Sequence, residues 1–164
     1  MKISATHNFK LPVQENGKYK LIVGIIGNSF LAELAKELDQ GTNKIIPIPE
    51  RVLKVVPEAR EEGMLEWHGI PSRPFIEKTT AKYMETWIKL LGDYVIKDKL
   101  NFLTALNKLG AVILEQLKDT ICNESWTPNS EVWRLFKERT GTDPNPLLHT
   151  KKFLDSLSYK VIKL

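Results

Sequence analysis

An α+β fold is predicted: a small mixed or antiparallel sheet packed by two long helices, with a proline-rich inserted loop. Three observations predict it. A short, β-branched apolar run, "KYKLIVGII", stands at Lys18–Ile26, and a similar one ends "SLSYKVIKL". Between them, two long stretches repeat apolar residues at the spacing of an amphipathic helix. Residues from 42 to 73 break every such pattern with prolines and glycines. At 164 residues, 42% of them hydrophobic, the chain reads as one domain, 1–164, with an N-terminal arm at 1–17 and an inserted loop at 43–69.

In "KYKLIVGII", Tyr19, Leu21, Val23 and Ile25 fall on one face, and Lys18 and Lys20 begin the other, so a strand is predicted over 18–26. "FLAELAKELDQG" follows, with Leu31, Leu34, Ala35 and Leu38 at i, i+3, i+4 and i+7. Asn28 or Ser29 serves as its N-cap, and Gly41 stands past its end. Pro47, Pro49 and Pro57 then interrupt the chain, and "RVLKVV" is the best strand candidate there, at 52–56. Loops of that length are uncommon unless they bind something.

Pro74 suits the first position of a helix carrying Ile76, Tyr83, Met84, Trp87, Ile88 and Leu91 as far as about Tyr94. A second long helix begins near Asn101 and places Leu103, Leu106, Leu109, Ile113, Leu117 and Ile121 on one face. Gly110 sits in its middle. An interior glycine costs about 1 kcal/mol relative to alanine, so either it permits close contact with another backbone or it is simply tolerated. "SEVWRLFKERTG" reads as a short helix closed by Gly141, and Thr150 caps a two-turn helix leading to a last strand at 158–163.

The residue types exclude much chemistry. One cysteine, Cys122, rules out an internal disulfide and is expected to be a partly buried, inert thiol. Gly24 and Gly27 lie between a strand and a helix, yet neither phosphate-binding glycine pattern is present. His7, His68 and His149 form no ligand pair, and Glu61, Glu62 and Glu66 lie in a solvated, charged stretch. Trp67, Trp87, Trp126 and Trp133 invite base stacking, but Trp87 and Trp133 fall on apolar helix faces and read as core. Lys and Arg number 24 against 20 Asp and Glu, a net +4 spread along the chain without a basic run. Neither a signal-peptide run nor a membrane span is present. The expectation is therefore no enzyme, no cofactor, no metal and no small-molecule substrate.

The stretch "HGIPSRPFIEKT" at 68–79 is unusually stiff. Pro71 and Pro74 fix φ and push Ile70 and Arg73 into extended conformations. Such a rigid loop loses little entropy on docking, and Arg and Phe are residue types that interfaces use. Two readings stand side by side. Ile70, Pro71, Ser72, Arg73, Pro74 and Phe75 form a candidate interface, or they staple the helix that follows, with Phe75 in the chain's own core.

The order "LAELAKELDQGT", "IPSRPF", the small-residue helix "LNKLGAVILEQLKDTI", "WTPNS" and "PLLHTKKFLDSLSYKV" resembles the tail-completion, or head–tail joining, proteins of tailed bacteriophages. The resemblance spans about residues 18–164 and lies in the order of the motifs. Two departures stand out: residues 43–69 where the family commonly has only a few, and His149-Thr150-Lys151 where Asp-Thr-Gly is common. The resemblance implies a structural virion protein at the neck, joining tail to head as a ring-shaped homo-oligomer and contacting neighbouring neck and tail proteins. DNA would pass through the ring lumen only as cargo, and assembly would take place in the host bacterial cytoplasm. The alternatives are a tail terminator or other minor tail protein and, from another class, a basic nucleic-acid-binding module.

Overall fold

The alternating face of Tyr19–Ile25 (β1) has an apolar wall to pack against, and the rest of the fold follows from that wall. The computed structural model describes residues 19–148 and 152–164; the arm at 1–17, Lys18, the family departure at His149–Lys151 and the Thr150 cap lie outside the described residues. After β1 come α1 (Ser29–Gln40), β2 (Thr42–Pro47), α2 (Glu50–Val55), α3 (Pro57–Glu61) and β3 (Glu66–Ile70). The second half holds α4 (Phe75–Ile96), α5 (Phe102–Asn123), α6 (Glu131–Thr140), α7 (Lys152–Ser156) and β4 (Leu157–Lys163). The α+β class holds, but the expected single sheet is divided into two antiparallel pairs, β1 with β4 and β2 with β3.

In the first pair, Val23 stands opposite Tyr159 and Tyr19 opposite Lys163. Tyr19, Leu21 and Val23 face one core together with Val161, Trp87, Leu91, Leu106, Leu109 and Ile113 from the two long helices. That packing explains Gly110. A Cβ there would lie 2.9 Å from both Leu21 Cδ1 and Tyr159 Cγ. The glycine therefore makes room for two side chains of the sheet, where contact with another backbone or mere tolerance was expected. The second long helix starts where expected, at Phe102, and Asn101 is its N-cap, its side chain accepting from the Thr104 amide at 2.9 Å. Leu103 and Ile88, placed on core faces by periodicity, are exposed instead; Ile88 lies at the edge of its helix's apolar stripe, and Leu103 stands in the first turn of α5.

The predicted strand at 52–56 is corrected to helix: α2 covers 50–55 and Val56 is its C-cap. Val52, Val56 and Ala59 recur at i, i+4 and i+7 and are all fully buried, against Val132 and Phe136 of α6. Tertiary packing overrides the β preference of the valines. Residues 43–69 thus carry a core of their own, and Arg139 of α6 fastens it by donating to Glu58 and, at 2.8 Å, to the Val55 carbonyl.

Candidate functional site

Glycines bring the stiff segment onto the end of α1. A Cβ at Gly41 would lie 2.9 Å from the Ile70 carbonyl oxygen and from the Ser72 amide nitrogen, and one at Gly69 would lie 2.5 Å from the Thr42 carbonyl oxygen. Gly41 and Gly69 also take φ of +77° and +80°, which favours residues without a Cβ. The segment is then pinned to α1. Ser72 Oγ donates to the Asp39 carbonyl at 2.7 Å, and the Arg73 amide donates to the Leu38 carbonyl at 3.0 Å. The Ile76 amide donates to Asp39 Oδ1 at 3.0 Å. Pro74, expected inside the helix, stands at the N-cap and offers no side-chain cap, so Asp39 supplies one from another helix.

Arg73 is only 2% exposed. Its Nε donates to the Thr127 carbonyl at 2.8 Å, and its Nη2 donates to the Pro128 carbonyl at 3.3 Å and to Asn129 Oδ1 at 3.2 Å. Burial pushes its pKa down from the ordinary value. Phe75 is 1% exposed and meets Phe153 edge to face, ring centroids 5.9 Å apart. Arg73 and Phe75 therefore act as the staple, and the reading of Arg73 as a surface anchor is corrected. A planar cation that holds three neutral oxygens fastens "WTPNS" to the start of α4. Pro71 and Ser72 remain exposed, with Ile70 and Pro74 half-buried.

A second buried cation lies nearby. Lys137 of α6 donates to the Asn145 carbonyl at 2.6 Å and to the Leu148 carbonyl. Burial, the largest cause, pushes its pKa down to about 8, with the Arg73 charge adding to the fall and Asp143 opposing it. Asn145 Nδ2 in turn donates to the Ile121 carbonyl at 2.9 Å, and Trp126 Nε1 donates to the same oxygen at 3.0 Å. The four short motifs that run in order along the sequence thus meet at one place: the end of α1, the 70–75 segment, 126–130, and the stretch from Pro146 into α7.

Beside this knot opens a cleft of about 800 Å³. Leu31, Leu34 and Leu38 of α1 form one wall, Ile46 and Trp67 of the inserted segment form another, and Pro128, Pro146 and Leu147 close the floor. Although α1 has the apolar stripe predicted for it, no residue of the helix is buried. The reason is that its stripe faces the cleft as well as the core. Arg51, His68 and Lys152 also line the cleft, and among the described residues no carboxylate does. Sequence reasoning missed this site, since a leucine stripe reads as core wherever it occurs. The one signal was the long, proline-interrupted stretch at 43–69.

Among the described residues no cluster of His, Cys, Asp and Glu suits a metal, and no helix is long and apolar enough to cross a membrane. Cys122 is exposed, where partial burial was expected, because α5 turns that side away from the core. The remaining cover, then Asp143 and Asp119, holds its thiol above the ordinary range and so mostly protonated. No family model, curated protein or solved structure matches the chain.

Proposed function

We propose that this chain is a non-catalytic structural component of a tailed-bacteriophage virion, placed at the neck as a ring of copies that completes the tail and joins it to the head. The observation that carries this reading is the convergence just described. The segments on which the family resemblance rests are scattered in sequence, yet Arg73, Asp39 and Phe75 tie them into one knot. Motifs that meet in space serve a common structural purpose more readily than motifs that match by chance. The insertion at 43–69, foreign to the family pattern, builds one wall of the cleft beside the knot and gives the chain a surface suited to a particular neighbour.

A nonsense mutation in the gene, examined in infected cells by electron microscopy, tests the reading. Filled heads and finished tails should accumulate unjoined, and mass spectrometry of wild-type particles should find the chain at a low, ring-sized copy number. Normal particles from the mutant, or wild-type virions lacking the chain, would overturn it. DNA affinity of the isolated protein that falls steeply with salt would favour the nucleic-acid module instead.

A further inference from the structure

We infer that the cleft receives the turn Glu61–Glu66 of a second copy of this chain. The inference deepens the assembly reading and rests on the self-association within it.

The turn is complementary to the cleft in both respects that matter. All six of its residues are exposed, among them Met64 at 36% and Leu65 at 50%, adjacent apolar side chains on a projecting turn. Glu61, Glu62 and Glu66 surround them, and none of the three has an ion-pair partner among the described residues. The cleft offers the opposite among the described residues: an apolar interior, Arg51 and Lys152 lining it without ion-pair partners, and no carboxylate. Matching signs of charge steer encounter and fix register. Unbranched Met64 adapts to an irregular apolar gap, and a space of this size, within the ~300–1,000 Å³ of small-ligand pockets, admits both side chains.

The turn is also built to be presented. Gly63, at φ +74°, reverses the chain at the end of α3. The Met64 amide donates to the Ala59 carbonyl at 2.7 Å, and the Ile48 amide donates to the Leu65 carbonyl at 2.8 Å. Little conformational entropy is therefore lost when it docks. The same bonds, with Glu66 paired to Pro47 in the β2–β3 ladder, hold the turn at the end of that ladder and prevent it from folding back into its own cleft. Only another molecule can supply it, and such a contact between unlike surfaces is the kind from which rings are made.

Two charge-reversed proteins test the contact: one with Arg51→Glu and Lys152→Glu in the cleft, the other with Glu62→Lys and Glu66→Lys in the turn. Sedimentation equilibrium over a concentration series should show self-association of the wild-type chain, weakened at least about tenfold in each variant alone. An equimolar mixture of the two should associate again, because each cleft then faces a turn of opposite charge. Circular dichroism checks that both variants fold. A wild-type chain that stays monomeric throughout, variants that associate like wild type, or a mixture that does not recover would each overturn the contact. Mass spectrometry of virions judges the neck assignment independently, so either proposal can fail alone.

Discussion

Tyr159 occupies the space that a side chain at Gly110 would need, its Cγ 2.9 Å from where a Cβ would stand. Gly110→Ala should therefore destabilise the protein, although helix propensity alone favours alanine by about 1 kcal/mol. The atoms in the way belong to the root of an aromatic ring held in a strand, so the overpacking cost of roughly 1–3 kcal/mol dominates. Urea unfolding should give a net loss of up to about 2 kcal/mol, the difference between the two effects. A stabilised Gly110→Ala would mean that the sheet moves freely over α5.

Arg73→Ala should lower stability by about 2–3 kcal/mol, the range for removing a hydrogen-bonding cation and leaving buried acceptors unpaired. Arg73→Lys should recover only part of this, because one ammonium cannot reproduce the planar fork that spans Thr127, Pro128 and Asn129. Thermal melts of the two variants decide the matter; an unchanged melting temperature for Arg73→Ala would return the residue to the surface role first considered for it.

Phe75→Ala should cost roughly 3–5 kcal/mol as a core truncation. A double-mutant cycle with Phe153→Ala should show coupling of about 0.5–1.5 kcal/mol for the edge-to-face pair. Zero coupling would mean that the rings contribute only through their separate burial.

Lys137 gives the fold a pH signature. Its folded pKa is about 8, below the ordinary 10.5. Between these values the unfolded chain holds a proton that the folded chain has released, so this group's contribution to stability rises with pH across that window and is lowest below about 8. Lys137→Met deletes the titration. The stability of wild type relative to Lys137→Met, from urea midpoints at pH 8 and pH 10, should increase with pH; a constant difference would refute the assignment.

Much of this architecture was legible before any coordinates. The 3.6-residue recurrence in Leu106, Leu109, Ile113, Leu117 and Ile121 and the alternation in Tyr19, Leu21, Val23 and Ile25 are local signals, and both faces are where the pattern places them. What could not be read depends on distant partners. The valines of α2 prefer strands until Val132 and Phe136 are set against them. Arginine is a surface residue by habit, and the oxygens that draw Arg73 inward lie 54 to 56 positions further along. The cleft was hidden for the same reason, since its walls come from α1, the insertion and the 126–130 and 146–147 stretches together.

The pairing of β1 with β4 sets a timetable for folding. Nearly the whole described chain separates the two strands, so their meeting carries the loop-closure cost of distant contacts and belongs to the slow part of the process. The α4–α5 hairpin is local and can form while the ribosome is still at work. Until Leu157–Lys163 is made, the side of α5 around Gly110 has no sheet over it, and Leu106, Leu109 and Ile113 are left partly uncovered. A nascent chain stalled at that point would present a greasy stripe to chaperones, which β4, once synthesised, removes from their reach.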